Sequence, residues 1–131
     1  MTRIVRMCPR LVVEGADQAI AYYTQTLGAK EIKRFKYDDK IVHSELELGD
    51  YILMVKDASE GDPGPDHLGG SPVLISLEID DVDAVGKRMI DGGATVVYPI
   101  GDQEYGKRAG RLRDPYGHLW IVSESTADLE P

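Results

Sequence analysis

Hydrophobic and polar positions along this chain follow two periods, and Gly and Pro mark where one gives way to the other. Residues 7–13 alternate and predict a first strand. Ala19, Ile20, Tyr23 and Leu27 then recur at helical spacing, predicting a helix over 17–27 with Gly28 as its C-terminal cap. Residues 30–37 predict a second strand, and 41–48 with 51–56 a hairpin over Gly49-Asp50. Residues 57–71 are Gly- and Pro-rich with no apolar period, which fits a mobile flap or a plain linker. The order then begins again. Residues 72–79 predict a strand, 81–91 a helix ended by Gly92-Gly93, 95–98 a strand, and 111–113 with 118–123 a hairpin over Asp-Pro-Tyr-Gly.

Both halves therefore read β-α-β-β-β. LVVEGADQAIAYYTQTLGAKEI aligns with SLEIDDVDAVGKRMIDGGATVV without a gap, placing Ala19 on Ala84 and Gly28-Ala29 on Gly93-Ala94. Internal duplication takes precedence over local propensity. The expected fold class is α+β: a single domain over 1–131, with module one at about 7–56, a loop at 57–71 and module two at about 72–124.

The segments ADQAIAYYTQTLGA, IDDVDAVGKRMIDGGATVVYP and GRLRDPYGHLWIV resemble the vicinal oxygen chelate superfamily, the glyoxalase/bleomycin-resistance/dioxygenase fold. The resemblance runs from about Pro9 to Glu124, and its Arg-Asp-Pro-aromatic-Gly-His hairpin is the most specific part. It implies two βαβββ modules whose strands curl into an incomplete barrel around a groove.

Strand alternation sorts the side chains. Val73, Ile75, Leu77 and Ile79 form one apolar face, and the pairs Leu46 with Leu53 and Leu48 with Tyr51 form another. These faces must cover the helices. The opposite faces carry Arg10, His43, Glu45, Ile52, Met54, Leu74, Ser76 and Glu78, and are expected to line the groove. Trp120 falls on the helix side. Strict pairing over the four-residue turn sets Arg111 opposite it, calling for a cation–π contact or a bulge at Gly110.

Metal-using relatives carry one ligand on each of four groove-facing strands. The resemblance maps these positions onto Cys8, Met54, Leu74 and Ile121. A thiol, a thioether and two alkyl groups do not make a site for a divalent cation. No metal and no cofactor are expected, and no catalytic residue is assigned. The resemblance is closest in character to metal-free, antibiotic-binding members. Such apolar positions make the floor of a binding pocket. Phe35 on the second strand, and Tyr105 in the loop before the last hairpin, are candidates to stack on a planar ligand.

Composition narrows the field of partners. The chain has 131 residues and a net charge of −8, with a sequence pI near 4.8. Such an acidic balance without a basic stripe argues against nucleic acid. No apolar run reaches the about 18 residues of a membrane span. The first residues, MTRIVRMCPRLVV, lack the features of a secretory signal, and the lone Cys8 fits a reducing cytoplasm. With Glu45, Glu47 and Glu78 turned inward, the groove is expected to favour neutral or cationic ligands.

The expected function is metal-independent sequestration of a planar aromatic, antibiotic-like molecule, by a homodimer on the pattern of the relatives. One alternative is a metal-dependent lyase, isomerase or dioxygenase with a displaced ligand set on His43, Glu45 and Cys8. Another is an interaction module with no small ligand.

Overall fold

Leu46 pairs with Leu53 and Leu48 with Tyr51 across the Gly49-Asp50 turn, the register that alternation predicts. The structure is a computed structural model and describes residues 2–125. The chain divides after Gly64 into two compact units, each built on a four-stranded mixed sheet. The fold class is α+β, as expected.

The first unit contains β1 (Arg10–Val13), α1 (Ala16–Leu27), β2 (Lys30–Tyr37), β3 (Lys40–Leu48) and β4 (Tyr51–Asp57). Its sheet order is β1-β4-β3-β2, with β1 parallel to β4. Leu11, Val13, Leu46, Leu53 and Val55 are buried on the sheet face covered by α1, together with Ile20 and Tyr23 of the helix. Each such side chain contributes about 1.5–3 kcal/mol by leaving water. Between Phe35 and Lys36 the pairing slips, so that Val42 is an extra residue on β3. The slip turns Ile41 to the α1 side, where it is 2% exposed.

Helix α1 starts at Gly15, which offers no side-chain cap. Asp57, at the end of β4, supplies the missing acceptor. Its two oxygens take the amide of Ala16 at 2.8 Å and that of Ile41 at 2.7 Å. One carboxylate thus ties the helix entry to two strands.

The second unit contains α2 (Pro65–Leu68), β5 (Leu74–Ile79), α3 (Val82–Asp91), β6 (Thr95–Asp102), β7 (Arg108–Arg113) and β8 (Leu119–Glu124). The sheet order, β5-β8-β7-β6, repeats that of the first unit. Trp120, Leu112, Val122 and Met89 are its fully buried centre. Trp120 is core, as alternation requires.

Four sequence expectations need correction. The last hairpin closes on Arg113 paired with Leu119, over five residues instead of four. Asp114 causes the difference: its Oδ1 accepts the amides of Tyr116 and His118, which takes one more residue than a tight turn. Leu112, not Arg111, therefore faces Trp120. Arg111 turns to the opposite face and lies over the Tyr98 ring at 5.2 Å, so the cation–π contact exists with a different aromatic. The bulge lies on β6, where Pro99 and Ile100 together oppose Gly110.

Second, β1 begins at Arg10 and not at residue 7, while β6 and β7 run longer than expected. Third, the Gly- and Pro-rich segment carries structure of its own. Ser59 and Asp62 exchange backbone hydrogen bonds, Asp62 accepts from Lys56, and α2 follows with Pro65 buried.

Fourth, the gapless alignment of the halves holds only at the glycine ends. Two residues separate strand from helix in both units, so Val13 corresponds to Ile79 and the fully buried Tyr23 to the fully buried Met89. A gapless register would instead place them on Glu78 and Arg88. The missing residue lies at the helix C-terminus: the Ala29 amide reaches back to the Tyr23 carbonyl, but the Ala94 amide only to Met89.

Candidate functional site

The face of the first sheet turned away from α1 collects six of the predicted site residues. Arg10 and Glu45 both pair with Met54, Ile52 pairs with Glu47, and Phe35 pairs with His43. Sheet parity places all of them on one side.

They form a connected network. His43 Nε2 lies 2.8 Å from Glu45 Oε2, and its Nδ1 lies 3.3 Å from Arg10 Nη2. Arginine only donates, so Nδ1 accepts and Nε2 carries the hydrogen given to Glu45. Arg6 Nη1 donates to the other Glu45 oxygen at 3.0 Å. Arg10 Nη2 also reaches the Met54 sulfur at 3.7 Å. The Phe35 ring stacks on the His43 ring at 6.1 Å between centroids, with 29° between planes.

Glu45 is buried, 5% exposed. The hydrogen bond from Arg6, and after it that from His43, lowers its carboxyl from 4.5 to about 2. Arg6 is the residue that sequence reasoning missed. It lies in the irregular stretch before β1, and no spacing marks it as the partner of a side chain 39 positions away.

This pairing also changes the electrostatic expectation. Glu45 is neutralised by Arg6, and Glu78 of the second unit lies 3.3 Å from Lys107. Arg6, and by its charge Lys33, stabilise the ionised Glu45, so the buried carboxylate of the first sheet's far face is compensated.

The other predicted site residues lie on the second unit. Leu74, Ser76 and Ile121 share the sheet face turned away from α3, with Ser76 and Arg111 both paired to Ile121. Tyr98 joins them through its contact with Arg111. Tyr105 stands apart at the tip of the β6–β7 turn, 70% exposed. The turn beneath it is fixed by Gln103, whose side-chain amide donates to the carbonyls of Gly101 and Ala109 at 3.0 Å each.

The metal positions implied by family resemblance are a thiol, a thioether and two alkyl side chains: Cys8, Met54, Leu74 and Ile121. This donor set does not fit a divalent cation. Nor does the displaced set on His43 and Glu45 fit well. Both ring nitrogens and both carboxylate oxygens are already engaged, so ligation would cost their hydrogen bonds. Among the described residues, no three His, Cys, Asp or Glu side chains gather as a metal-holding group. Also among them, no helix is long and apolar enough to cross a membrane.

Residues 3–122 match the family model of the Glyoxalase/Bleomycin resistance protein/Dioxygenase superfamily. An uncharacterized protein of Mycobacterium tuberculosis is 36% identical over 129 residues, covering 94% of this chain and 76% of its own length. The crystal structure of TioX from Micromonospora sp. ML1 superposes with a TM-score of 0.72 at 27% identity, over 92% of this chain and 98% of that one. Protein PA1353 from Pseudomonas aeruginosa gives a TM-score of 0.77 at 24% identity, over 93% and 98% respectively. The last likeness is one of fold.

Proposed function

From the premise that this chain belongs to the Glyoxalase/Bleomycin resistance protein/Dioxygenase superfamily, we propose that it is a binding protein rather than a metal enzyme. In this reading it sequesters a planar aromatic, antibiotic-like molecule and does so without a metal. The observation that carries it is the Phe35–His43 stack. Phe35 is 56% exposed, yet its ring is backed by an imidazole that both Arg10 and Glu45 hold in place. A pre-oriented ring loses little entropy on binding, which suits a planar partner. Met54 and Ile52, half-buried on the same sheet face, add an adaptable apolar floor.

The paired carboxylates give no support to selection of cations, so ring shape is the primary criterion here. Sequestration also implies protection in proportion to the amount of protein, with no turnover of ligand. A homodimer is part of the same proposal, and light scattering of the purified protein tests it.

Titration calorimetry with naphthalene-2-carboxamide, in the presence and absence of EDTA, tests the central claim. Saturable binding that ignores EDTA and weakens by about 1–3 kcal/mol in Phe35→Ala supports it. Binding that requires added metal, or turnover of a ligand on metal addition, overturns it.

A further inference from the structure

We propose that Arg10 is the polar anchor of this site and that it selects planar aromatic ligands bearing a carboxylate. The inference rests on the planar-ligand reading above and adds the ligand's functional group.

Arg10 is held by two side chains, neither of them a carboxylate. Arg6, Arg34 and Arg108 each sit within hydrogen-bond distance of a carboxylate. Arg10, among the described residues, has only a ring nitrogen at 3.3 Å and a thioether sulfur at 3.7 Å, both on the same Nη2. Neither acceptor carries a formal negative charge, and the thioether is a weak one. They fix the direction of the guanidinium without forming an ion pair; the charge of Arg10 is felt by Asp62, but that carboxylate is hydrogen-bonded to Lys56. Charge and fork are retained on an exposed side chain in the network that backs Phe35. A guanidinium matches a carboxylate through two parallel N–H···O bonds, a geometry that lysine cannot reproduce.

The neighbours strengthen the assignment. Glu45, the nearest competing carboxylate in the network, has both oxygens occupied by Arg6 and His43. His43 presents its lone pair to Arg10 and its hydrogen to Glu45, which keeps the carboxylate one residue removed from the arginine. Selection of an anion is then a local property of this face, in a chain whose overall charge is −8. An aryl carboxylate can place its ring beside Phe35 and its two oxygens on the free side of the guanidinium.

Three probes of nearly equal size separate the possibilities: naphthalene-2-carboxylate, naphthalene-2-carboxamide and 2-naphthylmethylammonium. Calorimetry on the wild type should show the carboxylate binding at least about tenfold more tightly than either other probe. Arg10→Gln should abolish that preference while melting at the wild-type temperature, because the side chain is exposed. Arg10→Lys, which keeps the charge and loses the fork, should reduce it to about threefold or less. Equal binding of all three probes, each weakened by Phe35→Ala, would leave the planar-ligand site standing and overturn the anchor. A carboxylate preference that survives Arg10→Gln overturns it as well. If none of the three binds, the planar-ligand reading falls and the anchor falls with it.

Discussion

Trp120 donates its indole N–H to Asp114 Oδ2 at 2.9 Å, deep in the second unit, where the residues are 1% and 3% exposed. The other oxygen of Asp114 holds the amides of Tyr116 and His118 at 2.9 and 3.0 Å. One carboxylate therefore sets both the five-residue turn and the rotamer of the largest core side chain. Asp114→Ala should cost about 2–4 kcal/mol, because it strands buried donors. Asp114→Asn offers an oxygen to only one side and should lie between the two. Urea unfolding followed by Trp120 fluorescence measures both. A loss below about 0.5 kcal/mol in the alanine variant would show that the turn stands without the carboxylate.

Glu45 links stability to pH with a definite sign. Its folded carboxyl is lowered from 4.5 to about 2, so the folded state favours the ionised form. The resulting stabilisation is complete above 4.5 and is lost as pH falls toward 2. Glu45→Gln removes it. Thermal melts across this range should show the wild type well above the variant near neutral pH, with the gap closing through the acid limb. A gap that stays constant with pH would mean that the Arg6–Glu45–His43 network contributes through packing alone.

Gly110 and Gly101 sit on adjacent strands and should respond oppositely to alanine. A Cβ at Gly110 would lie 2.8 Å from the Ile100 backbone nitrogen and Cα, atoms that cannot swing aside. Gly110→Ala should cost about 2–4 kcal/mol through overpacking at the bulge. At Gly101 nothing lies within 4 Å, and no left-handed backbone is required. Gly101→Ala should change stability by less than about 0.5 kcal/mol. Chemical denaturation of the two variants side by side makes the comparison.

Tyr105 is expected to act through ligand contact and not through the fold. At 70% exposure on a turn fixed by Gln103, its removal should leave the melting temperature unchanged. If its ring stacks on the planar ligand, Tyr105→Ala should weaken naphthalene-2-carboxamide by about 1–3 kcal/mol, and Tyr105→Phe should restore the loss. Unchanged affinity in the alanine variant removes Tyr105 from ligand contact.

Alternation and turn chemistry made much of this fold readable in advance. The Gly49-Asp50 hairpin register, the end of α1 at Gly28 and the burial of Trp120 all follow from local spacing. So does the shared face of Arg10, His43, Glu45 and Met54. What escaped prediction depends on side chains that reach across the chain. Asp57 caps a helix 41 residues away, and Arg6 meets Glu45 across 39. Neither lies in a pattern whose period announces a partner. Asp114 misled for the opposite reason. Its neighbours look like a tight turn, and only its own side-chain bonds lengthen the loop. The acidic field was inferred from carboxylates counted without their arginines, so its cancellation depended on the same long-range pairing.

The residue missing from α3 bears on how far the two halves have diverged since duplication. One residue turns a helix by about 100°. Exchanging α1 and α3 at their matching Gly-Ala ends, in the gapless register, would rotate Tyr23 or Met89 out of its core toward solvent. The halves still share a strand order, but they are no longer interchangeable parts. An exchange joined at those Gly-Ala ends yields a module whose helix presents the wrong face to its own sheet, whereas one joined at the strand ends keeps the face. The divergence extends to the far faces of the sheets: the first carries an arginine–imidazole–carboxylate network, while the second presents Ser76, Arg111 and Ile121 there.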